Sequence, residues 1–271
     1  MKIANKENKT LELIEKRRTI RAYNPKQLTQ EEIDIIIHGA MRAPTAGNMM
    51  FYSIIQVTDQ GMKDKLVKTC DNQPHIAKAP LVLVFLADMQ RWWDYFYICK
   101  TRDVCNEIGD EFETPQESDL LLACCDALIA AQNAVITAEA LGIGSCYIGD
   151  IMENFEIHRE LFNLPRWVFP ITMVCFGYPK GDKEHIPLQP RFPQKFIHFI
   201  NKYKRLDEKD FSEMFEGVER GYDIKYAKNL GQKFYFAKLA ADYSKEMRRS
   251  VKVAIKDWIL KVNEFKVEKN D

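Results

Sequence analysis

The segment Arg17-Arg18-Thr19-Ile20-Arg21 concentrates three guanidinium groups and a hydroxyl in five residues. Guanidinium groups are always charged and present planar forks of donors, so this set suits a phosphate that keeps most of its double charge. The segment follows a short apolar helical pattern, and the helix dipole favours cations at a helix C-terminus even without a ligand. The segment alone therefore leaves two interpretations open, an anion site and a helix terminus.

Three other segments have compositions that suit ligand contact. The loop 43–48 consists of small and turn-forming residues, which let a ligand approach the backbone but also make an ordinary helix-to-strand connection. The segment 187–193 holds Arg191 between prolines on a stiff, extended chain. The segment 142–149 is rich in glycine, but it follows a helical pattern and its spacing differs from a dinucleotide-binding loop.

Composition excludes several classes of protein. The 271 residues are 46% apolar and 11% aromatic, which is enough for a buried core. Lys plus Arg and Asp plus Glu both number 39, so the net charge is zero and no basic face favours nucleic acid. The residues near Met1 lack the apolar stretch of a signal peptide, and no uninterrupted apolar run is long enough to cross a bilayer. We expect a soluble, cytoplasmic protein without a membrane or nucleic-acid partner.

The seven cysteines and five histidines are widely scattered. No close C-x-x-C pair occurs, and Cys99 and Cys105 are too far apart for a zinc knuckle. We interpret the cysteines as reduced, mostly structural thiols and predict no metal site.

Apolar periodicity and capping residues predict the secondary structure. Thr29 and Glu32 form a capping-box pattern at the start of a helix that stops at Pro44. Other predicted helices begin at Thr10 or cover 61–70, 119–141 and 237–262. The helix 119–141 is expected to be central and is a candidate for sharing with a second subunit. The strands are predicted at 53–57, 81–87 and 171–179.

The chain is predicted to have two parts. Residues 1–200 form the ligand-binding domain, with a helical excursion at about 91–118 whose aromatic residues cover a pocket or a partner, or are simply surface aromatics. Residues 201–271 form a charged helical extension that packs on the body or on a partner subunit.

Four segments, in this order, resemble the FMN-dependent nitroreductase family. The arginine segment is similar to the family's Arg-hydroxyl-x-Arg signature, loop 43–48 to its Ala-Pro-Ser/Thr-x-x-Asn loop, and 141–149 to its Leu-Gly-x-Gly-x-x-Tyr-Ile-Gly segment. The pair formed by 71–73 and 190–193 points to the branch of oxygen-insensitive NADPH nitroreductases and NADPH-flavin oxidoreductases. The resemblance spans about the first two hundred residues.

The resemblance implies an α+β fold with a mixed central sheet flanked by helices, and an intertwined homodimer that binds one FMN per subunit at its interface. Arg17, Arg18, Thr19 and Arg191 would hold the FMN phosphate, and Arg21 would reach the pyrimidine side of the ring and the ribityl chain. Thr45, Ala46 and Asn48 would line the flavin from the second subunit, and Gln73 would hydrogen-bond its polar edge. The backbone of Tyr147, Ile148 and Gly149 would run past the ring near N5.

By the same resemblance, NAD(P)H is the electron donor and the acceptor is a small molecule: a nitroaromatic, a quinone or a flavin. Hydride transfer through flavin N5 in a ping-pong cycle needs no nucleophilic side chain, so we name no catalytic residue. A non-catalytic homodimer of this fold that binds flavin or another phosphorylated ligand is the alternative, and a purely structural homodimer is a third possibility.

The chain departs from the family pattern at two places. Gln189 stands where the NADPH branch commonly has lysine, and Met49-Met50 where a glutamine is commonly found. Arg17 stands at a position that is often histidine, and its positive charge can compensate toward the phosphate for the lysine that Gln189 replaces. The tail has no clear match to the arginine-rich stretch that grips the NADPH 2′-phosphate, so the sequence leaves the choice between NADH and NADPH open.

Overall fold

A four-stranded sheet in the order β1-β2-β4-β3 organises the fold. The structure is a computed structural model that describes residues 8–218 and 222–260. The strands are β1 (Tyr52–Gln56), β2 (Leu81–Asp88), β3 (Gly144–Ile148) and β4 (Val168–Gly177). All three pairs are antiparallel, and one parallel bridge joins Thr19 to Ser145.

Three of the strands lie where apolar runs predict them, and the fourth does not. All eight residues of β2 are buried, as expected for a strand with both faces covered. Residues 144–148 form β3 although their glycine-punctuated sequence did not predict a strand, because β4 supplies the partner that this segment needs. The α+β class is confirmed.

Eleven α-helices surround the sheet or follow it within the described chain. They are α1 (Lys9–Lys16), α2 (Gln30–Met41), α3 (Gln60–Thr69), α4 (His75–Lys78), α5 (Gln90–Ile98), α6 (Thr101–Ile108), α7 (Glu117–Ala140), α8 (Phe155–Leu161), α9 (Glu208–Met214), α10 (Leu230–Phe234) and α11 (Asp242–Ile259). Helix α2 has the predicted capping box, since Glu32 N–H donates to Thr29 Oγ1 at 3.2 Å and Thr29 N–H donates to Glu32 Oε2 at 2.8 Å. The predicted helix 237–262 is observed as α11, and its last residues lie outside the described part of the chain.

Side chains alternate between the two faces of the sheet. Leu83 and Phe85 pack into the cluster formed with α2 and α7, while Val82 and Val84 pack into a second cluster with α3. This period of two puts one apolar face on each side of β2, which explains why the strand reads as a continuous apolar run.

Helix α7 is the core helix of the fold. By length and composition it is the one helix of residues 8–218 and 222–260 that could cross a membrane, but a buried core helix meets the same criterion. Its buried residues include Ala127, Ala134 and two carboxylates, Asp126 and Glu139. The latter forms a 2.9 Å ion pair with Lys183.

The chain divides into two compact units. The first contains the described residues up to Lys183 and from Glu246 onward, and the second contains Glu184–Lys245. Packing thus groups the part of the tail from Glu246 onward with the first unit. The predicted division into 1–200 and 201–271 stays a prediction.

The two units have separate apolar clusters. In the first, Trp258 of α11 is buried and donates its indole N–H to the carbonyl of Gln116 at 3.0 Å. In the second, Phe215 packs on Phe192 and Phe234, with ring centroids 5.2 and 6.2 Å away.

Candidate functional site

The arginine segment lies along the outer edge of β3. Helix α1 ends at Lys16, and the chain that follows is extended: Thr19 forms its bridge with Ser145, and Ile20 N–H donates to Ser145 O at 2.9 Å. These contacts fix the arginine segment beside a strand that is otherwise the edge of the sheet. The segment predicted to bind an anion is therefore held by backbone hydrogen bonds rather than left as a loose helix end.

Gly144 allows this close approach. A Cβ atom at Gly144 would lie 2.3 Å from Cγ1 of Ile20, whose side chain is buried. Any larger residue would push the arginine segment away from β3. The glycine of the Leu-Gly-x-Gly pattern thus has a packing reason in this chain.

Arg17 and Arg21 place positive charge beside residues 146 and 147 of β3. Burial raises the pKa of Cys146, and Arg21 and Arg17 oppose that rise. Burial also raises the pKa of Tyr147 to about 12, again opposed by Arg17. Arg17 and Arg21 are therefore near neighbours of the strand residues 146–147.

The guanidinium groups of Arg17 and Arg21 have few protein partners that would compete with an anion. Arg18 Nη1 donates to the carbonyl of Lys16 at 2.7 Å, a bond typical of a helix C-terminus. Among the ion pairs of the described residues, none involves Arg17 or Arg21. The donors of Arg17 and Arg21 fit a phosphate, whose oxygens accept charge-assisted hydrogen bonds.

Gln73 lies beside the turn that follows β3. Its Nε2 donates to Oδ2 of Asp150 at 2.6 Å, and Asp150 directly follows Gly149. Ile148, the last residue of β3, is buried, whereas Gly149 is exposed and starts a short 3₁₀ turn. The structure thus brings Gln73 together with Asp150, the residue that directly follows the segment 147–149.

Two buried polar atoms beside these residues were not predicted. His75 Nε2 and Ser145 Oγ have no hydrogen-bond partner within the described chain. Burial, and secondly the charge of Arg21, lower the pKa of His75, so its imidazole is neutral near pH 7. Orphaned donors and acceptors of this kind fit a polar ligand, but the sequence shows His75 only as one of five scattered histidines.

The loop 43–50 is held by a carboxylate from the core helix. Asp126 Oδ2 accepts from Thr45 Oγ1 at 2.6 Å and from Phe51 N–H at 3.1 Å, and its Oδ1 accepts from Ala46 N–H at 3.0 Å. Asp126 is 2% exposed. In the sequence Asp126 is one of the few polar residues of an apolar helix, and a carboxylate in such a place signals that buried donors must face it.

The same contacts limit what Thr45 can offer a ligand. Its hydroxyl hydrogen goes to Asp126, and its oxygen accepts from Met50 N–H at 2.7 Å. Asn48 is exposed in a left-handed conformation with φ of 57°, and Ala46 is half-buried. Helix α5, in the predicted excursion, covers the far end of the loop, where Trp92 Nε1 donates to Met49 O at 2.6 Å.

The predicted site residues therefore fall into separate groups. Within the described residues, no hydrogen bond or ion pair joins loop 45–48 to the arginine segment. Arg191 belongs to the second compact unit, where it is exposed and donates to the carbonyl of Gln189 at 3.1 Å.

Comparison with known proteins identifies the family of this chain. Residues 14–178 match the model of the nitroreductase family. The oxygen-insensitive NADPH nitroreductase of Salmonella typhimurium is 32% identical over 200 residues, covering 74% of this chain and 77% of that protein. The NADPH-dependent FMN reductase of Bacillus subtilis is 32% identical over 201 residues, covering 72% and 75% of the two chains.

A solved structure shows the same fold. A nitroreductase from Bacillus subtilis superposes with a TM-score of 0.70 at 26% identity and covers 90% of this chain and 98% of its own. With its arginine segment fixed along β3 and a family match over residues 14–178, this chain belongs to the nitroreductase family.

Proposed function

We propose that the protein is an FMN-dependent NAD(P)H oxidoreductase that reduces nitroaromatics, quinones or flavins. One observation supports this most: the arginine segment lies along β3, and the end of the same strand meets Gln73. A phosphate-binding set and a set suited to a polar ring edge thus share one strand. The relatives named NADPH nitroreductase and FMN reductase support the same function.

Each group of residues has a proposed role toward the cofactor. Arg17, Arg18 and Thr19 hold the phosphate by charge-assisted hydrogen bonds. The phosphate contact of Arg191 stays a prediction from the sequence. Gln73 binds the polar edge of the ring. The backbone of Tyr147, Ile148 and Gly149 passes the ring near N5. The ring is lined from the second subunit by Thr45, Ala46 and Asn48.

The protein positions the cofactor and tunes its reduction potential, and no side chain acts as a nucleophile. When bound, FMN supplies the redox chemistry, taking hydride from NAD(P)H at N5 and passing electrons to the acceptor. Arg21 places a positive charge near the pyrimidine edge, where negative charge develops on reduction, and so raises the reduction potential. Its exposed guanidinium can do this because no carboxylate within the described residues pairs with it.

A homodimer completes the proposed site. Among the described residues, loop 45–48 has no hydrogen bond or ion pair to the arginine segment of its own chain, which is the arrangement expected if each loop serves the partner's flavin. The core helix α7 also carries exposed apolar side chains, including Leu121 at 67% and Leu122 at 43% exposed. A second copy of the chain would bury that face of α7. The cytoplasmic location of the protein stays a prediction.

An absorbance spectrum of the purified protein tests the proposal directly. We expect a yellow protein that releases FMN on denaturation, and anaerobic NADH or NADPH should bleach its flavin band. A colourless protein that takes up no added FMN would refute cofactor binding. Bound flavin that neither nucleotide reduces would instead favour the non-catalytic binding homodimer.

The phosphate contacts can be tested separately. Arg18→Ala should weaken FMN binding by about 2 kcal/mol, roughly a thirtyfold rise in Kd, because a charge-assisted hydrogen bond is lost. Arg102→Ala, on α6, is the matched control, since that guanidinium packs over Phe112 at 5.7 Å and has no proposed contact with the cofactor. Equal Kd values for the Arg18 variant and the wild type would contradict the phosphate assignment.

A further inference from the structure

The amide nitrogen of Gln73 has both of its hydrogens engaged by the protein. Nε2 donates to Asp150 Oδ2 at 2.6 Å and to the carbonyl of Cys70 at 3.2 Å. A carboxylate and a carbonyl both accept hydrogen bonds and cannot donate them, so the amide atom between them is the nitrogen. The amide carbonyl of Gln73 accepts no hydrogen bond within the described residues, which leaves that oxygen for a ligand.

Asp150 is itself held in place. The backbone N–H of Glu153 donates to the carbonyl of Asp150 at 3.0 Å, closing the 3₁₀ turn after β3. Glu153 is 4% exposed, and its Oε1 has no partner within the described residues. Burial, and next the charge and hydrogen bond of Asp150, raise the pKa of Glu153 to about 8. A Glu153 that keeps its proton can donate it to Asp150, which then remains an acceptor toward Gln73.

We infer that Asp150 is a positioning residue that holds the Gln73 amide with its nitrogen inward, so that Gln73 meets the flavin as an acceptor and pairs with ring N3–H. The inference rests on the proposed function. The pyrimidine edge of an oxidised flavin carries one donor, N3–H, between the carbonyls at C2 and C4. A glutamine without Asp150 can turn over and donate to either carbonyl, whereas a glutamine held by Asp150 can only accept.

The geometry also sets the specificity of the contact. An acceptor at this position favours a ring that presents an N–H and disfavours one whose nitrogen is alkylated, because the acceptor would lose its partner. FMN methylated at N3 keeps the phosphate, the ribityl chain and both carbonyls. It is therefore the probe that isolates this one hydrogen bond.

The test compares the affinities of full-length apoprotein for FMN and for 3-methyl-FMN by absorbance titration. The wild type should bind FMN more tightly. Gln73→Ala should reduce this preference by about fivefold, the factor expected for one net hydrogen bond. Asp150→Asn should lower the preference toward the Gln73→Ala value, because an asparagine can donate to the Gln73 carbonyl and let the amide turn.

Two further variants separate positioning from charge and folding. Asp150→Glu keeps an acceptor-only group and should restore much of the wild-type preference. Asp71→Asn removes a neighbouring exposed carboxylate that has no bond to the Gln73 side chain, and it should leave the preference unchanged. Circular dichroism confirms that each variant folds, and Asp150→Ala serves if Asp150→Asn does not.

The outcomes distinguish the inference from the proposed function. Wild-type protein that binds FMN while Asp150→Asn keeps the wild-type preference would overturn the role of Asp150. Equal preferences in wild type and Gln73→Ala would overturn the N3–H contact. Wild-type protein that binds neither flavin would refute the proposed function itself.

Discussion

Replacing Glu153 with glutamine is expected to remove a pH dependence from the stability of the fold. Burial, then Asp150, and to a smaller extent Asp71 and Glu246, raise the pKa of this carboxyl from 4.5 to about 8. Arg249 offsets part of the charge of Glu246, to which it is bonded at 2.7 Å. Folded Glu153 therefore holds its proton at pH values where the unfolded chain has lost it.

The sign of the effect follows from proton linkage. Between pH 4.5 and 8 the folded state binds more protons than the unfolded state at this residue, so the free energy of unfolding falls as pH rises. The stabilisation is complete below pH 4.5 and is lost as pH rises through the folded pKa. A difference of one bound proton over two pH units, from about pH 5.5 to 7.5, changes the free energy of unfolding by about 2.7 kcal/mol. Local relaxation lowers the change that we expect to about 2 kcal/mol.

The glutamine in Glu153→Gln does not titrate. The free energy of unfolding of this variant, relative to that of wild type, should therefore rise by about 2 kcal/mol over that pH range. Taking the difference between variant and wild type cancels every group that the two proteins share. Urea unfolding followed by circular dichroism at three pH values gives the required free energies. Glu160→Gln, at an exposed position on α8, is the matched control and should show no such rise.

Two results would refute this reasoning. A difference between Glu153→Gln and wild type that stays constant to within about 0.5 kcal/mol would show that Glu153 loses its proton at an ordinary pH. An equal rise in the Glu160→Gln control would show that the effect is a general one of removing carboxylates.

Three other substitutions test the packing around the site. Gly144→Ala should lower the free energy of unfolding by about 2 kcal/mol or more, measured by urea unfolding, because its Cβ would lie 2.3 Å from Ile20. Gly149→Ala, whose Cβ meets nothing within 4 Å, should keep wild-type stability but weaken FMN binding in a titration; unchanged binding would contradict the approach of this backbone to the ring. Asp126→Ala should cost about 3 kcal/mol in the same unfolding assay, because it leaves the Thr45 hydroxyl and two backbone donors without their acceptor, and a loss below about 1 kcal/mol would contradict its role as the anchor of the loop.

Several elements could be predicted because their signals are local. The capping box at Thr29 and Glu32 needs only four consecutive residues, and the apolar run at 81–87 already indicates a strand buried on both faces. The boundaries of these elements moved by only one or two residues in the structure. The segment 144–148 was missed because its strand character comes from pairing with β4, and glycines weaken the local signal.

The site follows the same division. The arginine segment and the loop 43–48 could be recognised from residue types and order, and the family they indicated is confirmed. The individual contacts of Arg17, Arg18, Arg191 and the other cofactor residues stay predictions. Asp126 could not be recognised as the anchor of the loop, because it lies 81 residues from Thr45 in the chain.

The sequence by itself determined the family, the position of the arginine-rich segment and the helices and strands with strong local periodicity, since these depend on neighbouring residue types. The tertiary structure alone decided that the arginine segment lies along β3 and that Asp150 meets Gln73 from 77 residues away. Such contacts carry no local pattern, because they form only when the packing of the core brings distant strands and turns together. The direction in which Gln73 presents its amide is therefore a property of the fold, although each residue that sets it can be read in the chain.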